Sequence, residues 1–253
     1  THGNSNMAGA NPGYGPLVKT MTNVDELEIK KFEALAARWW DVNGEFRPLH
    51  EINPLRVNYI NRHVNLVGKQ VLDIGCGGGI LAEALAYHGA KVTAIDLAKA
   101  SLSVAKLHQL ESKLEIDYRF ASAEQLVEDE KQQYDVITCL EMLEHVPKPS
   151  SVIQASMQLL KPGGIVFYST INRNLKAYLF AVIAGEYILK LLPKGTHDYA
   201  RFIKPSQLAS WCRVYNLQLL DQIGLGYNPF SRRYFLQKNI DVNYIACYHK
   251  AEK

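Results

Sequence analysis

From Lys69 to Thr170, short apolar runs alternate with longer segments whose apolar positions recur at helical spacing. Lys69–Ile74, Lys91–Asp96, Ile116–Ala121, Tyr134–Cys139 and Ile165–Thr170 read as strands, with Ile80–His88, Lys99–Glu111 and Ser150–Leu160 as the helices between them. Further on, Pro205–Tyr215 reads as a helix, and Leu217–Ile223 with Val242–His249 as a closing strand pair. This alternation predicts an α/β fold: a Rossmann-like, doubly wound, mostly parallel seven-stranded sheet with an antiparallel last strand.

Before the sheet, Leu27, Ile29, Phe32, Leu35, Ala36 and Trp39 share helical spacing over Asp25–Trp40. A loop with Gly44, Pro48 and Pro54 follows, then a helix-like segment Leu55–His63. Residues 21–68 are thus expected to form a helical cap, and 21–253 a single domain. Residues 1–20, rich in Gly, Asn, Pro and Ser, read as a disordered arm or expression remnant without a signal-peptide pattern. Asn172–Lys204 is far longer than an ordinary connection and has an apolar core flanked by Arg173, Lys176, Lys190 and Lys194. Two uses suit it: an interfacial helix pair resting on lipid, or a buried cap helix.

The chain has 253 residues, 47% of them hydrophobic, enough for one substantial core. A net charge of +3 argues against nucleic acid as the partner. Cys76, Cys139, Cys212 and Cys247 are widely separated with no CxxC pair, which fits a reducing cytoplasm better than disulfides or zinc.

Candidate chemistry concentrates where strands end. Asp73 closes the first strand, and Gly75, Gly77 and Gly79 follow at alternate positions ahead of a helix. Glycines there let the chain turn tightly while a ligand approaches its backbone. A dinucleotide fingerprint would need glycine at Ile80; the Asp-x-Gly-x-Gly-x-Gly order instead resembles motif I of class I methyltransferases. Asp96, ending the second strand, suits the two hydroxyls of a ribose. After the third strand, Ser122-Ala123-Glu124 stands where an adenine-reading acid is often found; serine there serves equally as a helix cap.

The fourth strand runs into Leu140-Glu141-Met142-Leu143-Glu144-His145-Val146-Pro147 at the expected ligand edge of the sheet. Leu140 is placed to flank the cofactor. His145 or Glu144 could take a proton from a hydroxyl acceptor, or Glu141, Glu144 and His145 could hold a divalent ion that acidifies it. Either would answer a real need, because a phenol of pKa about 10 is a poor nucleophile until ionised. Two rival classes stand beside a methyltransferase: a Rossmann dehydrogenase, and a protein that binds cofactor or lipid without turnover.

Several linked segments resemble the ubiquinone-biosynthesis O-methyltransferases: Phe32-Glu33-Ala34 with Arg38-Trp39-Trp40-Asp41, Ile52-Asn53-Pro54-Leu55-Arg56, Val71–Leu81, Glu141–Pro147, Pro193-Lys194-Gly195-Thr196-His197-Asp198 and Asp241-Val242-Asn243-Tyr244. The resemblance implies methyl transfer from S-adenosylmethionine to a ring hydroxyl of polyprenylated phenols, at two steps of one pathway. It implies that Arg56 pairs with the methionine carboxylate of the cofactor, and that Asp73, Gly75, Gly77, Asp96 and Leu140 complete its site. Relatives with Met at Leu140 carry over only the packing role. Relatives in mitochondria imply magnesium at Glu141, Glu144 and His145, and a shared membrane pathway implies contacts with its other proteins; the apolar, basic-edged insert 172–204 is expected to attach the chain peripherally to the inner membrane. The alternative is another small hydroxylated acceptor.

Overall fold

The computed structural model describes residues 23–44, 46–131, 133–173 and 201–252. Both the 1–20 arm and nearly all of the apolar insert, including His197 and Asp198, lie outside the described residues.

The chain begins with helix α1 (Glu26–Leu35), where the Asp25 carboxylate accepts hydrogen bonds from the Leu27 and Glu28 amides and so caps the first turn. A short 3-10 turn, Ala36–Arg38, leads to α2 (Arg47–His63). This second helix starts earlier than the prolines suggest. Pro48 lies in the first turn, where its missing N–H is harmless, whereas Pro54 is interior. The buried face of α2, carrying Asn53, Arg56, Val57, Tyr59 and Ile60, offsets the one backbone bond that Pro54 cannot make.

Then come β1 (Gln70–Ile74), α3 (Ile80–Tyr87), β2 (Lys91–Asp96), α4 (Lys99–Ser112), β3 (Ile116–Phe120), α5 (Ala123–Asp129) and β4 (Tyr134–Leu140). After a second 3-10 turn, Leu143–His145, follow α6 (Pro149–Leu159) and β5 (Leu160–Ile171). The remaining described elements are α7 (Pro205–Val214), β6 (Leu217–Asn228), β7 (Arg233–Gln237) and β8 (Asn243–Lys250).

The strands form one mixed sheet in the order β3-β2-β1-β4-β5-β8-β6-β7. The first five pair in parallel; β8 runs antiparallel between β5 and β6. The expected seven-strand core is present, and β7 adds an eighth strand antiparallel to β6 at the edge. Its residues are only half buried, so no apolar run marks it.

Neighbouring residues of one strand feed opposite faces, as a two-residue period requires. Phe167 joins the core beneath α2, α3 and α4, while Val166 and Tyr168 join the one beneath α5, α6 and α7. A smaller cluster of Ala36, Trp39 and Ile80, with Phe32, Phe46 and Leu49 against it, seats the cap over the carboxyl ends of β1 and β2.

Candidate active site

The β1–α3 connection is held from below and covered from above. Gly75 and Cys76 donate their amides to the Ile95 carbonyl at 2.9 and 3.1 Å, tying the turn to β2. Gly77 has φ of +53°, and its amide donates to Asp96 Oδ2 at 2.8 Å; the other Asp96 oxygen accepts from the Ala98 amide at 2.7 Å. A side chain at Gly77 would meet the Trp39 ring at 2.6 Å, so glycine is required for backbone conformation and for the approach of the cap.

Trp39 donates its indole N–H to Ser101 Oγ at 3.3 Å and stacks on Phe46 at 4.1 Å. Trp40 donates to the Gly78 carbonyl at 2.9 Å and lies flat on the His108 ring. His108 in turn meets Glu83 of α3 at 2.8 Å. The two tryptophans therefore fasten the cap to the loop.

Under this roof is a cavity of about 360 Å3, large enough for a small-molecule site. Arg56, Asp73, Gly75, Gly77, Asp96, Leu140, Glu141, Glu144 and His145, the residues predicted from the sequence, all line it. Three buried polar atoms on this wall have no partner among the described residues: Arg56 Nε, Asp73 Oδ2 and Asn53 Oδ1. Buried groups left in that state are costly, and a donor beside two acceptors is what the carboxylate and ammonium of an amino-acid moiety would satisfy. The cofactor implied by the motif, with its methionine and ribose, fits this set. Met142, whose side chain reaches over Gly75, and Asn53 were not singled out by sequence reasoning as site residues. Asn53 lies inside a quoted segment; Met142 carries no signal of its own.

Burial raises the Asp73 carboxyl to about 7; a hydrogen bond from Thr138 opposes that rise, and the neighbouring Asp96 adds to it. Burial also raises Asp96, only partly offset by the amides of Ala98, Gly77 and Leu97. Ser122 is the N-cap of α5 and forms a capping box with Gln125, so its hydroxyl is used by the helix.

Beyond β4 the three candidate acid–base groups diverge. Glu141 has a left-handed backbone, φ +55°, an unusual conformation for glutamate at the end of a strand. Its Oε1 accepts from Ser169 Oγ at 2.7 Å and from Arg56 Nη2 at 3.1 Å. Glu144 is buried and accepts from Thr170 Oγ1 at 2.9 Å. Burial, and then the nearby Glu141, push its carboxyl well above the usual range. His145 Nδ1 meets Glu28 Oε2 of α1 at 2.8 Å. Burial works to raise the Glu28 carboxyl, yet hydrogen bonds from Lys31 and His145 outweigh it and hold the group below its ordinary value.

The structure does not bring these three side chains together as the magnesium ligand set that the resemblance implies. Among the described residues no group of three or more His, Cys, Asp or Glu side chains is placed to hold a metal ion.

Residues 50–222 match the family model of a methyltransferase domain. A ubiquinone biosynthesis O-methyltransferase of Pseudomonas putida (strain W619) is 62% identical over 225 residues, 89% of this chain and 97% of the relative. The chain belongs to the ubiquinone biosynthesis O-methyltransferases. The enzyme of that name from Azotobacter vinelandii is likewise 62% identical over the same shares of the two chains.

Among solved structures, the magnesium protoporphyrin IX methyltransferase of Synechocystis PCC 6803 with bound SAH covers 90% of this chain and all of its own. Its TM-score is 0.65 at 19% identity, a likeness of fold. This member of the family is thus an S-adenosylmethionine-dependent methyltransferase, and the dehydrogenase alternative falls away.

Proposed function

We propose that this enzyme methylates a ring hydroxyl of polyprenylated phenols and catechols in ubiquinone biosynthesis. The observation that carries the reading at the level of residues is the single cavity that gathers the unpartnered Arg56, Asp73 and Asn53 atoms together with His145. When bound, S-adenosylmethionine supplies an electrophilic methyl on a sulfonium. Arg56 holds the cofactor carboxylate, Asp73 its ammonium, and Asp96 the ribose hydroxyls, while Leu140 packs along it. The glycine turn sets their spacing.

His145 is the general base. Glu144 is less suited, because a buried carboxyl raised well above its usual range is protonated at neutral pH, and it already accepts from Thr170. The acceptor hydroxyl would give its proton to His145 Nε2, leaving its oxygen pair free to take the methyl that the cofactor would supply. Orientation inside the closed cavity supplies much of the acceleration, since an in-line displacement gains most from fixing its partners.

Residues 172–204 serve, in this reading, as the peripheral contact with the membrane that holds the lipid-tailed substrate, and the enzyme also meets other proteins of the pathway. No helix among the described residues is long and apolar enough to cross a membrane.

The deciding experiment is methyl transfer to a short-chain polyprenyl catechol, run with magnesium and with a chelator. Turnover in both supports His145 acting as the base without an ion. Turnover lost on chelation would overturn that role. Absence of turnover in both, with cofactor bound, would overturn the choice of acceptor.

A further inference from the structure

The imidazole of His145 is not positioned by its own loop. Its chain sits in the 3-10 turn after β4, with the backbone amide donating to the Met142 carbonyl at 2.9 Å. The ring is instead fixed by the cap: Glu28 Oε2 lies 2.8 Å from Nδ1, and Phe32, one turn along α1, meets the ring edge-on at 5.2 Å. Glu28 is 8% exposed, a rare state for a glutamate unless paired. Its second oxygen accepts from Lys31 Nζ at 2.8 Å, and Arg201 Nη1 stands 3.8 Å away. Arg201 also donates to Asp25, the residue that caps α1. Both Glu28 and His145 face the cavity.

A carboxylate can only accept, so the proton of a neutral His145 must reside on Nδ1, which leaves the lone pair on Nε2. Among the described residues Nε2 makes no hydrogen bond. We infer that Glu28 is the positioning residue of this enzyme: by fixing the Nδ1–H tautomer and the ring plane of His145, it aims Nε2 at the acceptor hydroxyl. This rests on the reading of His145 as the base. During the transfer the proton moves from the hydroxyl oxygen to Nε2, and the Glu28 carboxylate faces the imidazolium that results. The base is therefore assembled from two parts of the chain, and it is complete only while α1 is docked.

The test compares wild type, Glu28→Gln, His145→Gln and the double variant, with cofactor binding and thermal midpoint measured beside kinetics. Expected for Glu28→Gln are an unchanged midpoint, a cofactor dissociation constant within about twofold of wild type and an unaltered acceptor KM. Its kcat should fall roughly tenfold to a hundredfold, part of what a general base supplies. With His145 already replaced, the same substitution should cost nothing further, because Glu28 acts only through that ring.

Nitrogen NMR of His145 should show the Nδ1–H tautomer in wild type and its loss in Glu28→Leu. Additive losses of kcat in the double variant, or an Nε2–H tautomer in wild type, would overturn the role of Glu28. A wild type that methylates no hydroxylated acceptor would instead overturn the proposed activity, and the tautomer would then judge Glu28 alone.

Discussion

Asp73 gives the fold a pH dependence that can be worked out in advance. Its side chain is 2% exposed, with one oxygen bonded to Thr138 at 2.7 Å and the other without a partner among the described residues. In the ligand-free protein its pKa is about 7, against 3.8 for an ordinary aspartate. The folded state thus keeps a proton that the unfolded chain has released, and stability falls as pH rises from 3.8 through 7. A shift of this size amounts to about 4 kcal/mol at most, of which about 2 kcal/mol is lost between pH 5 and pH 7.

Asp73→Asn removes the titration. Any fixed cost of the amide, such as an unpaired N–H, is the same at every pH and cancels. Urea unfolding of the ligand-free proteins should show the variant gaining about 3 kcal/mol on wild type from pH 5 to pH 8. S-adenosylhomocysteine should flatten wild type's decline, because its ammonium would stabilise the carboxylate. A difference between the two proteins that does not vary with pH would refute the reasoning, by showing Asp73 already ionised and solvated in the folded state.

Asp96→Ala removes the acceptor of the Gly77 and Ala98 amides, and cofactor binding by calorimetry should weaken roughly tenfold to a hundredfold. In wild type, cofactor affinity should fall as pH drops through the raised Asp96 pKa, since the ionised form accepts the ribose hydroxyls; a flat profile would reject that assignment. Gly78→Ala would drive a methyl into Trp39, loosening the cap at a cost of about 1–3 kcal/mol. Its tryptophan emission should shift to the red, and unchanged emission would mean that the roof does not depend on this contact. Phe180→Glu should reduce co-sedimentation with liposomes, and equal sedimentation of variant and parent would favour a buried role for the insert.

What the sequence made legible was local. The apolar runs of β1, β2 and β4 are buried along most of their length, so hydrophobicity alone marks them. Asp73, Gly77 and Asp96 announce themselves by spacing within one β–loop–α unit. Two prolines hid the start of α2, because an interior proline normally ends a helix, and here a buried face outweighs it. The half-exposed β7 had no pattern to read. Glu28 was illegible for another reason: it meets His145 across 117 positions of chain, and on α1 it is one more charge in an amphipathic stripe. Arg56 and Glu141, 85 positions apart, were each singled out, but the ion pair joining them was not.

The two halves of the chemistry come from different stretches of the chain. Asp73, the glycine turn, Asp96 and Leu140 belong to the sheet, whereas Glu28, Trp39 and Trp40 precede it, in the cap. Within the cap the two duties are divided again: α1 reaches the base through Glu28, whereas Arg56 on α2 and the two tryptophans serve the methyl-donor side. Exchanging α1 alone between members would retune the base while leaving the glycine turn, Asp96, Leu140 and Arg56 in place. Selection acting on the base would then leave its record in α1 as well as in the turn after β4.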